Sequence, residues 1–239
     1  MIILGINDAH DASACLIKNG KLVFAIQEER LTRIKNMGGF PIFSVKKILK
    51  KFNLKKSDID YVAIATKRIV HTNLFNVPVS FSVSDYLKMH EKYYYPTLYK
   101  KRKIRISNVF KDFKFITNDF YPMKKIPFVT TSEISSTKID DLKKLRKEII
   151  CDFFEKSEDQ VIFYDHHKCH TFHGLYTQSI ATDLNRIILA TSDGGGDGTY
   201  DSVSIFEKGK LTLLSQSRTS LIGKIYSQIT LLLGMNPHR

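Results

Sequence analysis

Apolar and polar positions alternate in short runs along this chain, and between those runs the period lengthens to that of a helix. Residues 2–6 (IILGI) and 21–27 (KLVFAIQ) are β-branched and apolar, with a further short run, ACLIK, between them. Asn19-Gly20 lies between two such runs and signals a hairpin turn, because both residues tolerate positive φ. The opening therefore predicts strand, loop, strand, turn, strand. Pro41 then begins a helical stretch, FPIFSVKKILKKFNL, with Ile42, Val45, Ile48, Leu49 and Phe52 along one face. Asp60–Thr66 (DYVAIAT) has the composition of a short buried strand. This order predicts an α/β fold on a sheet of mixed strand direction.

Residues 68–135 carry KYYYPTLYKKRKIRI and many aromatics without a sustained period, and are expected to form a helical insertion with loops. Residues 137–155 predict an amphipathic helix with Ile139, Leu142, Leu145, Ile149 and Phe153 on its apolar side. A strand over 161–164 and a helix from about 167 to 180 follow. Ile187–Thr191 predicts a further strand and Asp193–Thr199 a glycine loop. Ser202–Phe206 and Leu211–Ser215 form a hairpin around Lys208-Gly209, and GKIYSQITLLLGM closes the chain as a helix. No internal repeat or low-complexity linker is visible in the letters.

Composition narrows the class. With 239 residues, 43% hydrophobic and 26% charged, the chain has globular proportions and room for one large domain or two small ones. No run of about 18 apolar residues is present, so no membrane span is expected. The start, MIILGINDAHDASACLI, lacks a basic head and cleavage site. The three cysteines, Cys15, Cys151 and Cys169, make neither a disulfide framework nor a CxxC site, and Cys15 and Cys151 read as small core residues. These features give a cytoplasmic expectation. The net charge of +13 falls in the first part: residues 1–135 hold 24 Lys and Arg against 11 Asp and Glu, while 136–239 hold 13 of each. A solvated lysine-rich surface is favoured over a nucleic-acid face, since many of these lysines flank apolar helical positions.

Four segments carry chemistry. DHHKCHTFHGLY (165–176) follows a strand and enters a helix, and four of the eight histidines fall within eight residues. His166 and His170 are one turn apart and share a face, so their imidazoles can hold one metal ion; a phosphate site is the other reading. His167 and His173 point elsewhere around the helix. In TSDGGGDGTYDSVSIF (191–206), Asp193 stands at the end of an apolar strand, where a carboxylate can bind a metal. Gly194, Gly195, Gly196, Asp197 and Gly198 follow, and glycines let backbone N–H groups approach a phosphate; a plain hairpin turn is the alternative. GINDAHDAS (5–13) crowds Asn7, Asp8, His10, Asp11 and Ser13 into one bend, which by itself predicts an Asx turn. QEERLTRIK (27–35) supplies Arg30, Arg33 and Lys35 as phosphate grips, or else a solvated, charge-paired helix start.

Taken together, these four segments, with Phe40-Pro41 and the closing LLLGM, resemble the carbamoyltransferases typified by nodulation protein U and by the enzymes that carbamoylate cephem and aminoglycoside antibiotics. The resemblance is strong at both ends of the chain and weak over 68–135. One departure is Thr171, where that family usually has alanine.

The resemblance implies a ribonuclease-H-like (actin and sugar-kinase) mixed sheet with flanking helices, comprising the first lobe and part of the second. All of 1–239 would be an incomplete amino-terminal domain, with a YrdC-like carboxy-terminal domain absent. It further implies ATP-dependent transfer of a carbamoyl group from carbamoyl phosphate, through carbamoyl adenylate, to a hydroxyl of a small-molecule or sugar acceptor. His166, His170 and Asp193 would hold a divalent metal (iron, manganese or magnesium), Gly194, Gly195, Gly196 and Asp197 would face the nucleotide, and His10 and Lys35 would contact the carbamoyl or phosphate group. Two rivals stand beside it. One is an enzyme like the tRNA threonylcarbamoyl transferases, which GINDAHDAS and QEERLTRIK argue against. The other is an inactive nucleotide- or metal-binding module that needs a separate carboxy-terminal chain or forms a homodimer.

Overall fold

The computed structural model describes residues 1–68, 83–104, 139–177, 186–219 and 222–236. The chain divides into two compact units, the first through Phe163 and the second from Tyr164.

The first unit is built on a five-stranded sheet. β1 (Ile2–Asn7), β2 (Ser13–Lys18) and β3 (Lys21–Gln27) form an antiparallel meander, and β4 (Tyr61–Ile64) and β5 (Val161–Phe163) add in parallel on the other side of β1. The spatial order is β3-β2-β1-β4-β5, the α/β sheet of mixed strand direction expected. The meander turns where Asn19-Gly20 predicted, both residues having positive φ (50° and 77°). A four-residue helix, α1 (Glu29–Thr32), leaves β3, and α2 (Ile42–Lys51) begins directly after Pro41. Val45 and Ile48 of α2 are buried with Leu4, Ile6, Leu16, Val62 and Ile64 of the sheet, and Ile42, Leu49 and Phe52 pack at their edge.

The insertion is described only in part. Val83–Met89 is α-helical (α3) and runs into a wider helical stretch, His90–Tyr99, interrupted by Pro96. The remainder of 68–135 lies almost wholly outside the described residues. α4 (Ile139–Phe154) returns the chain to the core, burying Ile149, Ile150 and Phe154.

The second unit contains α5 (His166–Tyr176), a three-stranded antiparallel sheet of β6 (Arg186–Gly196), β7 (Thr199–Glu207) and β8 (Lys210–Ser217), and α6 (Ile222–Leu232). Two expectations are corrected here. α5 ends at Tyr176 rather than near 180, its last carbonyl turn being closed by Thr177, whose N–H and hydroxyl both bond the His173 carbonyl. The glycine loop is far shorter than 193–199. β6 continues through Gly196, which pairs with Thr199, and only Asp197 and Gly198 turn, both at positive φ (52° and 83°). An Asp-Gly pair is suited to such a tight turn, and the strands pair again at its base after a register break over Asp193–Gly195.

The structure also exposes a repeat that the letters conceal. Each unit has a meander whose first strand carries Ile-Ile-Leu (2–4 and 187–189) and has an aspartate at the same distance beyond it (Asp8 and Asp193). In each, a Gly-Lys-Leu (20–22 and 209–211) makes the second turn. Four extra residues at the first turn of the second meander put the two copies out of phase.

Candidate metal centre

α5 starts where Asp165, in extended backbone, caps it by accepting a hydrogen bond from the Lys168 N–H (3.2 Å). This places His166 in the first turn and His170 one turn on, with ring centroids 4.6 Å apart. Asp193 comes from β6, at the point where the β6–β7 register breaks between Ser192 and Gly196. Such an irregularity re-aims a side chain out of strict strand alternation. The outcome is a convergence: His166 Nε2 lies 2.8 Å from Asp193 Oδ2 and 3.0 Å from His170 Nε2, and His170 Nε2 lies 3.6 Å from the same Asp193 oxygen.

Hydrogen bonding alone satisfies this arrangement poorly. The Nε2 of His166 carries either a proton or a lone pair. As a donor to Asp193 it offers nothing to His170; as an acceptor from His170 it turns its lone pair on a carboxylate. A cation at the convergence point would satisfy all three atoms, which lie within 4.8 Å of one another. Two imidazoles and a carboxylate suit a divalent transition ion, so the residues present fit the metal that the sequence implied. Side-chain hydrogen bonds with His166 and His170 hold the Asp193 carboxyl well below the usual carboxylate range, against the opposing effect of its partial burial. Its other oxygen, Oδ1, accepts the Gly194 N–H at 2.5 Å.

His167, turned away from the Asp193 side with its ring centroid 5.8 Å from that of His166 and 6.0 Å from that of His170, is a structural residue, buried at 2% exposure. Its Nε2 faces the Thr199 carbonyl (2.9 Å), which can only accept, so the proton sits there. Its Nδ1 then accepts from the Thr191 hydroxyl (2.7 Å), which in turn contacts the Ser202 hydroxyl (2.7 Å). Thr171 sits buried one turn further on, with its hydroxyl on the His167 carbonyl.

The glycine run serves the same convergence. A methyl group on Gly196 would overlap the His166 ring, and one on Gly223, at the start of α6, would stand 2.6 Å from the Asp193 carbonyl. The Asp197 carboxylate accepts the His166 backbone N–H at 2.8 Å.

The other candidates belong to the first unit. The 5–13 bend is the Asx turn expected: Asn7 Oδ1 accepts the Ala9 N–H, and its amide donates to the carbonyls of His10 and Asp11. His10 is exposed and pairs with Asp11 through Nδ1 (2.9 Å). Lys35 is also exposed, on the 33–39 segment, which is tied to the same bend by bonds from Gly39 N–H to the Ala9 carbonyl and from Ala12 N–H to the Met37 carbonyl.

Two acidic residues of these motifs are buried. Glu28 is buried, and its carboxylate accepts from the N–H groups of Phe43 and Ser44 and from the Ser44 hydroxyl (2.9, 2.8 and 2.6 Å), capping α2 rather than pairing at a surface. Asp8 is fully buried in a two-pronged ion pair with Arg146 of α4 (2.7 Å). Arg146 was not singled out in the sequence; its place three and four residues before Ile149 and Ile150, within the apolar stripe, was the available signal.

With the geometry in view, comparison with known proteins assigns the class. The chain matches the family described as carbamoyltransferase N-terminus over residues 2–239, and it belongs to that family. Among relatives, it is 27% identical over 237 residues to protein MJ1051 of Methanocaldococcus jannaschii, a match covering 99% of this chain and 31% of that one. It is 36% identical over 74 residues to nodulation protein NolNO of Sinorhizobium fredii, covering 30% of this chain and 11% of that one. The chain thus spans about a third of the length of MJ1051. Among solved structures, YeaZ from Pseudomonas aeruginosa aligns over 90% of this chain and 66% of its own, at 9% identity and a TM-score of 0.37, too loose a likeness to build on.

Proposed function

We propose that this chain forms the amino-terminal part of an ATP-dependent carbamoyltransferase. Such an enzyme would move a carbamoyl group from carbamoyl phosphate, through carbamoyl adenylate, to a hydroxyl of a small-molecule or sugar acceptor. Family membership supports carbamoyl transfer, and the observation that carries the reading to this chain is the convergence of His166, His170 and Asp193.

In this reading His166, His170 and Asp193 would hold a divalent ion between their converging Nε2 and Oδ2 atoms. Bound there, the ion supplies Lewis-acid polarisation of an acyl or phosphoryl oxygen. Asp193 Oδ1 remains on the Gly194 N–H, which fixes the direction of the carboxylate. His10, exposed and paired with Asp11, would in this reading exchange a proton with the acceptor hydroxyl or orient the carbamoyl group. Lys35, on the segment tied to the same bend, offers a cation to phosphate oxygens.

The test is the metal content of the purified chain beside that of His166→Ala and His170→Ala, together with pyrophosphate release from ATP and carbamoyl phosphate. One equivalent of metal in the wild type and near loss in both variants is expected. Retention of metal by both variants would refute the reading. A second reading is a metal- and nucleotide-binding module without transfer activity of its own, which the same convergence of His166, His170 and Asp193 supports equally. Metal binding without pyrophosphate release would support it.

A further inference from the structure

We propose that Asp197 and Gly196 are positioning residues for His166, so that the tip of the β6–β7 hairpin sets the geometry of the metal-binding triad; this rests on the metal reading above.

The hairpin tip reaches His166 in two ways. The Asp197 carboxylate accepts the His166 backbone N–H, one of the N–H groups that a helix start leaves without an intrahelical partner. A carboxylate at a helix N-terminus also meets the favourable end of the peptide dipoles. The absent side chain of Gly196 leaves the space that the His166 ring fills. The Asp165 cap and the buried bonds of His167 to Thr191 and Thr199 fix the rest of that first turn. His166 is therefore gripped at its backbone by one residue of the tip and seated at its ring by the next. Neither contact touches the donor atom Nε2, so both act through His166 and not on the ion. Groups that orient a ligand in this way commonly change metal affinity by about 10–100-fold.

Asp197 has a φ of 52°, so an alanine there would strain the turn as well as remove the carboxylate. Asp197→Gly keeps the turn and removes the acceptor. Asp197→Asn keeps an acceptor oxygen and tolerates the same φ. The experiment titrates the 239-residue chain and these variants with Co²⁺, following its visible absorption, and records thermal unfolding of the metal-free proteins. The expected result is binding weakened about 10–100-fold in Asp197→Gly with a changed absorption band, recovery to within about threefold in Asp197→Asn, and metal-free unfolding midpoints close to wild type in both. Gly196→Ala should lose the band while keeping wild-type far-ultraviolet circular dichroism.

A histidine-selective nitrogen NMR spectrum of the metal-free chain supplies a readout independent of the ion, in which Asp197→Gly should move the His166 signals and leave those of His173 in place. Unchanged Co²⁺ affinity in Asp197→Gly, beside a wild type that binds, would overturn this inference alone. Failure of the wild type itself to bind would overturn the metal reading, and this inference with it.

Discussion

Glu28 shows how much one carboxylate can do when three donors meet it. Its oxygens take the N–H groups of Phe43 and Ser44 and the Ser44 hydroxyl from a position fifteen and sixteen residues before them in the chain. Glu28→Ala leaves two backbone donors and a hydroxyl unsatisfied in a buried place, so a loss of about 2–4 kcal/mol is expected, read by urea unfolding. A loss below about 1 kcal/mol would mean that water reaches those groups. From the letters Glu28 was one charge among five in QEERLTRIK. Which of them turns inward depends on where α2 begins in space, and that is a long-range fact no local pattern contains. The histidines were more legible. Spacing alone put His166 and His170 on one face and sent His167 elsewhere, because a helix converts residue number into direction. The bonds of His166 with Asp193 and Asp197 are tertiary, and only the position of Asp193 at the end of an apolar strand hinted at the first.

At the scale of elements, Arg146 joins α4 to the end of β1. Its guanidinium grips both oxygens of Asp8, reaches the carbonyls of Thr66 and Lys67 beyond β4, and lies over the Phe163 ring at the end of β5. One side chain thus ties together the carboxyl ends of three neighbouring strands. Arg146→Met, which keeps most of the volume but strands the Asp8 charge, should cost about 3–5 kcal/mol of unfolding free energy. Adding Asp8→Asn to it should recover a substantial part, and a double variant no better than the single would show that packing, not charge, is what Arg146 supplies. The strands and α2 were legible because their periods are clean and their turns carry Asn-Gly and Pro. The reach of β6 was not. Glycines suggested a loop, yet cross-strand pairing to β7 holds Gly196 in the ladder, a case of tertiary context overriding local propensity.

For the whole molecule, the two units differ in how they are stabilised. The first buries a continuous apolar cluster between sheet and helices. Among the described residues of the second, Leu175 is the one buried apolar side chain, beside buried His167, Thr171, Thr199, Ser202 and Ser204. α6 turns a full stripe outward, with Ile222, Ile225, Tyr226, Ile229 and Leu232 between 47% and 86% exposed. Exposed apolar stripes of this kind promote association. Ile225→Lys with Ile229→Glu should therefore shift the chain toward monomer in sedimentation velocity without changing its helix content; an unchanged distribution would show that the stripe does not drive self-association. The mixed α/β class was readable from the order of runs. The doubling of the meander was not, because the four added residues hide it from any fixed-period comparison.

That doubling has a chemical consequence. The chain twice sets an aspartate four residues beyond an Ile-Ile-Leu and gives each a different fate. Asp8 is paired with the buried guanidinium of Arg146, whereas Asp193 meets the imidazoles of His166 and His170 and the Gly194 N–H. Of two carboxylates made on one plan, one has become mortar, and in the reading proposed above the other would serve an ion.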